Sequence, residues 1–348
     1  MKRNLSLLLR LCLPAAATAC SLFAQDTLIS RETVRPHVDL PDDVKAAAAA
    51  MPMWTGTFTY NGKTYTYKMI GSDPSKGSAT TTVPVFIVPL KLTFSDGTVF
   101  DASGPMDGLN VSAVHQVEAS PIFNSVTWMA GSVTVGTTQY IDAFQRGNFW
   151  SSVSTVSPDY HVLMAIPQVL PEQSYTLTAK EGSTSPGPVA PYKRGTISNG
   201  FLDKVITPQV FAKFPQITPG TLTIFLTYNV FPGGNYGFHA VWTGTPGKGN
   251  IYTYVSYLEP YTQLIDADIS TLAHEVGEVV DDPLTNNSTP CGSLEVGDPL
   301  STAVFTVNAN GQNWHPQDLA FIGYFTAPPA TSVNSWFSFR DNLKKACK

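Results

Sequence analysis

The alternation of apolar and polar residues predicts a chain whose first half is rich in β-strands. Residues 54–70 alternate on both sides of Asn61-Gly62, a dipeptide that favours a two-residue hairpin turn. Residues 80–94 form an apolar run, which predicts a buried pair of strands or one long strand. A further strand region and two short helices are predicted at 159–179, 43–51 and 111–120.

Three strands and one amphipathic helix are predicted in the second half. The strands cover 221–231, 236–243 and 251–259. The helix covers residues 268–281, in which five apolar residues recur at helical spacing on one face: Ile269, Leu272, Ala273, Val276 and Val280. Asp268 is the expected N-cap and Pro283 the expected end of this helix. We expect the three strands to form an antiparallel sheet that packs against the helix.

These elements predict an α+β fold with three consecutive regions. Residues 1–25 are predicted to be a signal peptide, residues 26–180 a β-rich N-terminal region, and residues 196–348 a C-terminal region built around the helix. The segment 181–195 between the last two is rich in Ser, Pro and Gly, which is typical of a loop or a domain boundary. One continuous domain spanning both regions is the alternative.

The N-terminus and the composition both indicate an exported protein. Lys2 and Arg3 precede a short apolar run, and the small residues 17–19 offer a cleavage site, as in a secretory signal peptide. We expect a secreted or periplasmic mature protein, with a lipid anchor at Cys20 as the alternative. Charged residues make up only 14% of the 348, the net charge is -5, and the basic residues do not cluster, so we expect no nucleic-acid partner. No later stretch of sequence is apolar enough to cross a membrane.

The four cysteines divide between the N-terminus and the mature chain. Cys12 lies within the predicted signal peptide and Cys20 near its end, whereas Cys291 and Cys347 would remain after cleavage. Two cysteines in an oxidising compartment most simply form a disulfide, which is our prediction for this pair. Two separate free thiols are the alternative.

The string HEVGE at 274–278 is the strongest indication of chemistry in the sequence. It contains two of the chain's eight glutamates, and a third follows at position 295. His274 and Glu278 are four residues apart, so on a helix their side chains lie one turn apart and can touch the same metal ion. Glu275 lies beside His274, where a general base could take a proton from water acidified by the metal. The order of residues is that of the HExxH metallopeptidase motif with Glu in place of the second His.

A third metal ligand is expected from the LEVGD turn that follows the helix. Asp298 is the favoured candidate and Glu295 its competitor, while Asp281 and Asp282 at the end of the helix are weaker candidates. One His with two carboxylates makes a harder and more anionic ligand set than zinc usually has in proteins. We expect a divalent cation, Zn²⁺ first, with Ca²⁺ or Mn²⁺ also suited to these ligands.

Two further interpretations concern the surroundings of the motif. His239, on the predicted strand 236–243, or the neighbouring Tyr236 is expected to stabilise a developing oxyanion, so His239 is placed among the catalytic residues. A buried structural role is the alternative for this single His. The alternative for the motif is an ordinary amphipathic helix with a solvated acidic face. The sequence contains no G-x-S-x-G, no P-loop and no G-x-G-x-x-G.

The motif and its surroundings resemble a family of exported bacterial proteins that carry H-E-x-x-E-x-x-x-D-P followed by E-[IV]-G-D. The pattern is also similar to that of the exordium-like, phosphate-induced secreted proteins of plants. YIDAFQRGNFW and TFSDGTVFD extend the resemblance over most of the mature chain. The resemblance implies a secreted, zincin-like α+β protein and implies no particular substrate. The matching positions are His274, Glu275, Glu278, Asp282, Pro283, Glu295, Gly297 and Asp298.

These features together predict metal-dependent hydrolysis of a peptide bond by a zincin-like C-terminal half. His274, Glu278 and an acidic residue of the LEVGD turn would bind the metal, and Glu275 would act as the base. The second hypothesis is a non-catalytic exported or cell-surface protein with a structural cation. An amide hydrolase that acts on the cell wall is the third, so the expected partners are a peptide or a cell-wall substrate.

Overall fold

The computed structural model describes residues 40–107, 109–244, 248–259, 268–326 and 331–348. Strand residues outnumber helical residues, which confirms a mixed α+β protein. The predicted signal peptide at 1–25, with Cys12 and Cys20, lies outside the described residues. Within them, no helix is long and apolar enough to cross a membrane.

The described residues form eight α-helices. They are α1 Asp42–Ala48, α2 Ala113–Ala119, α3 Tyr140–Asn148, α4 Trp150–Val153, α5 Asn199–Phe201, α6 Thr207–Lys213, α7 Ser270–Asp281 and α8 Ile322–Thr326. A π-helical turn joins α5 to α6. Most helices have three turns or fewer, so they depend on packing against the sheet for their stability.

The strands of the described residues number twenty. They are β1 Met53–Tyr60, β2 Lys63–Ile70, β3 Thr80–Val83, β4 Val85–Thr93, β5 Val99–Asp101, β6 Val126–Ala130, β7 Val133–Thr138, β8 His161–Met164, β9 Gln168–Val169, β10 Gln173–Thr176, β11 Gly182–Pro186, β12 Lys193–Ile197, β13 Leu222–Tyr228, β14 Val230–Pro232, β15 Gly237–Val241, β16 Ile251–Tyr257, β17 Ser288–Thr289, β18 Gly292–Ser293, β19 Val307–Ala309 and β20 Gln312–Trp314. The predicted hairpin is confirmed as β1 and β2, with Asn61 and Gly62 at positive φ in its turn.

A mixed sheet with the order β10-β4-β13-β16-β15 organises the molecule. Strands β10, β4, β13 and β16 run parallel to one another, whereas β15 pairs antiparallel with β16 and the short strand β5 pairs antiparallel with β4. The prediction of an antiparallel sheet over 221–259 is therefore wrong for β13 and β16, which pair parallel, and correct for β15 and β16. Every residue of β13 and of β16 is buried, as is typical of central parallel strands covered on both faces. Their nearly continuous apolar sequence was the signal for this arrangement.

Strands from both halves of the chain share this sheet. Strand β4, from the N-terminal half, hydrogen-bonds directly to β13, from the C-terminal half. The segment 181–195, expected to be a loop, contributes most of the β11–β12 hairpin, and β12 pairs with β14. The run at 80–94 is confirmed as two strands, because Pro84 separates β3 from β4.

Helices cover the two faces of the sheet. On one face, α6 contributes Phe211, whose ring lies 6.0 Å from Phe225 of β13 and 5.9 Å from Tyr252 of β16. Helix α7 packs against β16 and β15, where it contacts Gly237. Gly237 pairs with Val255, which points to the face opposite Tyr252 and Tyr254, because successive side chains alternate across a strand. The motif helix therefore lies on the face of the sheet that α6 does not cover.

Helix α7 is buried along its whole length. All twelve residues are buried, so its acidic side chains do not form the solvated face of an ordinary amphipathic helix. The helix begins at Ser270 with Ile269 as its N-cap, and the prediction of Asp268 as the N-cap is wrong. Asp268 instead accepts hydrogen bonds from the backbone N–H of His315 at 3.0 Å and faces His315 Nδ1 at 3.0 Å. The helix ends at Asp281, with Asp282 as its C-cap just before Pro283.

The predicted disulfide between Cys291 and Cys347 is confirmed. Their Cα atoms lie 6.3 Å apart, and the bridge joins the loop after α7 to the C-terminal tail. The backbone N–H of Cys347 also donates to the carbonyl of Tyr324 at 3.0 Å. The bridge therefore holds the tail beside α8 and the loop that carries Glu295 and Asp298.

Candidate metal centre

Three parts of the fold bring the predicted site residues together. Helix α7 carries three of them, β15 carries one, and the segment after β18 carries two, one in a loop and one at the start of the 3₁₀ turn Asp298–Leu300. The residues that meet in this way are His274, Glu275, Glu278, His239, Glu295 and Asp298. Within the described residues, two groups of these side chains are close enough to hold a metal ion: His274, Glu278 and Asp298, and His239, Glu275 and Glu278.

The first group is arranged around His274. Its Nε2 atom lies 3.0 Å from Glu278 Oε1 and 3.5 Å from Asp298 Oδ1. The backbone N–H of Gly297 donates to the same Glu278 oxygen at 3.1 Å. Asp298 therefore joins His274 and Glu278, whereas its competitor Glu295 lies nearer to His239.

Gln317 determines which nitrogen of His274 faces the carboxylates. The Gln317 side-chain amide donates from Nε2 to the carbonyl of Gly297 at 2.6 Å, so its Oε1 atom is an acceptor. That oxygen lies 3.2 Å from His274 Nδ1, which must donate to it. The neutral imidazole then presents the lone pair of Nε2 to Glu278 and Asp298, and such a second contact commonly orients metal-binding histidines.

His239 on β15 repeats this arrangement on the other side of Glu278. Its Nε2 atom donates to the backbone carbonyl of Asp282 at 3.2 Å. Its Nδ1 atom faces Glu278 Oε2 at 3.5 Å, Glu275 Oε2 at 3.7 Å and Glu295 Oε2 at 4.0 Å. Both ring nitrogens are thus engaged within the protein, an arrangement that suits a ligand better than a group that contacts an oxyanion.

Several carboxylate oxygens in this cluster are buried without a hydrogen-bond donor. The atoms are Glu275 Oε2, Asp281 Oδ2, Asp282 Oδ2 and Glu295 Oε2. A buried, unpaired carboxylate is unfavourable by several kcal/mol or more unless a proton or a cation balances its charge. The cluster therefore needs positive charge, and the chain supplies no Lys or Arg ion pair to these carboxylates among its described residues.

Ionisation in the metal-free cluster reflects this shortage of positive charge. Burial raises the pKa of Asp281 to about 8 and that of Asp282 to about 7, and it also raises the pKa of Glu275. Burial opposes the charge of His274 as well, but the carboxylate of Glu278 outweighs it, and the pKa of His274 rises to about 10. Protons thus occupy the cluster where a cation could replace them, since metal ligands must be deprotonated to bind.

The pKa of Glu278 is lowered, unlike those of the other carboxylates described above, which indicates that Glu278 lies at the centre of the cluster. Burial alone would raise its pKa, but the adjacent imidazoles of His274 and His239 have the larger effect and lower it to about 2. Glu278 is the residue that both candidate groups share. Its charged form is therefore the one that the surrounding structure favours.

A cleft connects the cluster to solvent. It has a volume of about 350 Å³ and is lined by the LEVGD turn, the disulfide loop and α8, with Glu295, Asp298, Cys291, Tyr324 and Phe325 among its residues. The Asp298 side chain is 18% exposed, whereas those of Glu275 and His274 are 2% and 5% exposed. A molecule in this cleft would meet the cluster at Asp298.

Some contributors to the site were outside the sequence predictions. Gln317 belonged to no motif, and Gly297 matched the E-[IV]-G-D pattern without being given a role, since the role of both depends on a loop that returns to α7. The weaker candidates Asp281 and Asp282 lie at the edge of the cluster: Asp281 accepts from the Gln145 side-chain amide of α3, and Asp282 accepts the backbone N–H groups that follow the helix. The sequence contained no signal for Gln317, because its role depends on its burial, which the sequence does not show.

Comparisons of the chain with family models, with curated proteins and with solved structures find no match. The interpretation of the site therefore depends on its geometry and chemistry. The buried His, Glu and Asp side chains could hold a metal ion, and they do not by themselves indicate which metal.

Proposed function

We propose that this protein is a secreted metal-dependent hydrolase, a zincin-like peptidase with Zn²⁺ at His274, Glu278 and Asp298. The observation that carries the proposal is the orientation of His274, whose Nε2 atom Gln317 directs at two carboxylates. Ligand atoms at about 2.0–2.2 Å from one tetrahedral ion lie roughly 3.3–3.6 Å from each other. The measured separations of 3.0 and 3.5 Å are close to that range.

The packing around the motif helix supports the zincin-like part of the proposal. Helix α7 lies against β16 and the antiparallel edge strand β15. The disulfide between Cys291 and Cys347 agrees with an extracytoplasmic location, where such bonds persist. The cleft beside Asp298 would admit the substrate.

Glu275 is the proposed general base. It follows His274 directly on α7, and its Oε2 atom has no hydrogen-bond donor. A bound divalent cation would supply Lewis-acid polarisation of the scissile carbonyl and would acidify a water. Glu275 would accept the proton from the attacking water and pass it to the leaving amine, while Glu278 and Asp298 stay ionised.

A non-catalytic role for the cation is the second candidate, and burial of the cluster favours it. The Glu275 side chain is only 2% exposed, so a substrate must enter by the cleft at Asp298 or displace part of the loop. In this case the ion would neutralise the buried carboxylates and stabilise the fold. Metal removal would then lower the melting temperature, and no peptide or cell-wall amide would be cleaved.

The experiment compares Glu275→Gln with the matched control Glu118→Gln on α2, a partly exposed glutamate far from the motif in sequence. The protein is produced in an oxidising compartment without a His-tag and loaded with Zn²⁺. Quenched peptides of mixed sequence and peptidoglycan fragments serve as substrates. Glu275→Gln should keep the ion at His274 and lower turnover by a factor of about 10²–10⁴, the usual contribution of a positioned base.

The control should retain both turnover and metal content. Wild-type protein that carries one equivalent of Zn²⁺ and cleaves none of these substrates would refute the hydrolase and leave the structural cation. Protein that is folded and binds no divalent cation would refute both candidates.

A further inference from the structure

The two oxygen atoms of Glu278 face two different histidines. Oε1 lies 3.0 Å from His274 Nε2, and Oε2 lies 3.5 Å from His239 Nδ1. The other ring nitrogen of each histidine donates a hydrogen bond to a protein oxygen. His274 donates to Gln317 Oε1, and His239 donates to the carbonyl of Asp282. A single carboxylate thus lies between two imidazole nitrogens, and one ion at His274 leaves the second nitrogen without a metal.

The second nitrogen, His239 Nδ1, faces three carboxylate oxygens. Around His239 Nδ1 lie Glu278 Oε2 at 3.5 Å, Glu275 Oε2 at 3.7 Å and Glu295 Oε2 at 4.0 Å. Octahedral ligands at about 2.3–2.6 Å from a hard cation are roughly 3.3–3.7 Å apart. The first two of these separations fall within this range.

Unpartnered oxygens point to a cation at this position independently of the spacing. Glu275 Oε2 and Glu295 Oε2 are both buried and have no hydrogen-bond donor, although both face His239. The Glu275 and Glu295 residues are only 2% and 6% exposed. An ion at His274 is balanced by Glu278 and Asp298, so His239 is the basic group that these two carboxylates face.

We propose that the protein binds a second divalent cation through His239, Glu275 and Glu278, with Glu278 bridging the two ions and Glu295 beside the second. The inference rests on the proposed function only in taking the ion at His274 as the first. One nitrogen and several carboxylate oxygens form a hard ligand set, which suits Mn²⁺ or Ca²⁺ as well as Zn²⁺. Glu275 would bind this ion and would then be unable to accept a proton, so filling the second site should inhibit turnover.

The test titrates metal-free protein with Mn²⁺ and measures stoichiometry by calorimetry and by electron paramagnetic resonance. Wild-type protein should bind two equivalents, and the spectrum at saturation should carry the broadening of two exchange-coupled ions. His239→Ala should bind one equivalent and give the spectrum of an isolated Mn²⁺. The control His115→Ala, an exposed histidine on α2, should behave as wild type. Circular dichroism checks that each variant is folded.

Glu275→Gln provides a second route if His239→Ala does not fold, because it removes one ligand charge with little change in volume. It should also reduce the stoichiometry from two to one. A wild-type protein that saturates at one equivalent, or a folded His239→Ala variant that still binds two, would overturn the second site.

The test distinguishes failure of the second metal site from failure of the proposed hydrolase function. One equivalent of Mn²⁺ together with peptide cleavage would refute the second site alone. Two coupled equivalents, together with no cleavage by protein that carries only the first equivalent, would support the second site and refute the hydrolase.

Discussion

At the scale of single residues, the site depends on how closely Gly297 approaches His274. A Cβ atom at position 297 would lie 2.4 Å from His274 Nδ1, much closer than real side chains allow. The backbone of Gly297 has a φ of -82°, which any residue adopts, so the requirement is for space. The same backbone donates to Glu278 and accepts from Gln317, and it therefore positions both a ligand and the group that orients His274.

We predict that Gly297→Ala weakens metal binding by a factor of about 10–100, the usual effect of disturbing the contacts that orient a ligand. The methyl group would push the His274 ring away from Gln317 and so misdirect its lone pair. Calorimetric titration with Zn²⁺ measures the affinity. Gly200→Ala is the control, since no atom lies within 4 Å of a Cβ at that position. Equal affinity in the two variants would contradict the proposed role of this contact.

A second prediction concerns Asp281 and pH. Burial raises its pKa from 3.8 to about 8, so between these values the folded protein holds a proton that the unfolded chain has lost. The free energy of unfolding should therefore fall as the pH rises through this range, by up to roughly 1.4 kcal/mol per pH unit for this group. Asp281→Asn keeps the oxygen that accepts from Gln145 and removes this dependence.

Melting temperatures of metal-free protein between pH 4 and 9 would measure the effect. We expect Asp281→Asn to be more stable than wild type near pH 8 and to show a flatter decline from pH 4. The exposed Asp159→Asn should follow the wild-type curve. Parallel curves for Asp281→Asn and wild type would contradict the prediction.

At the scale of elements, Asn287 connects the end of α7 to the β1–β2 hairpin through hydrogen bonds. Its Oδ1 atom accepts from the backbone N–H of Lys68 at 2.9 Å, and its Nδ2 atom donates to the carbonyls of Lys68 at 2.6 Å and Asp281 at 2.7 Å. The two contacts with Lys68 join residues 219 positions apart in the chain. The orientation of the motif helix therefore depends on a hairpin near the start of the described chain.

Asn287→Ala is expected to lower the free energy of unfolding by about 2–4 kcal/mol, because it removes three hydrogen bonds and leaves partly buried backbone groups of Lys68 and a buried carbonyl of Asp281 without these partners. Its neighbour Asn286 is only half-buried, and Asn286→Ala should change stability by less than about 0.5 kcal/mol. Chemical denaturation of both variants would compare them. A loss of free energy of unfolding of similar size in the two variants would show that the contact to the hairpin does not stabilise the junction between the hairpin and the end of α7.

At the scale of the whole molecule, the two halves of the chain are interleaved in the main sheet. Strand β4 lies between β10 and β13, and five of its residues pair with β13 in parallel register. Without β4, the C-terminal half would expose the fully buried strand β13 as an unpaired sheet edge.

We therefore predict that a fragment of residues 196–348 does not fold by itself. It should lack a cooperative thermal transition and should bind no metal tightly, although it contains every proposed ligand. Circular dichroism, limited proteolysis and Zn²⁺ titration would compare it with the chain from residue 40 onward. A fragment that melts cooperatively and binds Zn²⁺ like the longer chain would show that the C-terminal region is an independent domain.

The sequence by itself determined the local features of this protein. Asn61-Gly62 specified a hairpin, the apolar spacing after Ser270 specified the motif helix, and the spacing of His274 and Glu278 placed two candidate ligands one turn apart. These features depend on neighbours a few residues away, so periodicity and turn chemistry suffice to predict them. The cysteine pairing was also accessible, because only two cysteines remained to pair.

Only the tertiary structure decided strand direction, burial and the completed site. Strands β13 and β16 run parallel, a pairing that requires a long connection, here the segment with β14 and β15. An apolar strand sequence does not show in which direction the neighbouring strand runs. Asp298 joined His274, and His239 met the other side of Glu278, because loops distant in sequence return to one helix. The requirement for positive charge arises from burial of several carboxylates together, a property of the packed molecule that no short motif contains.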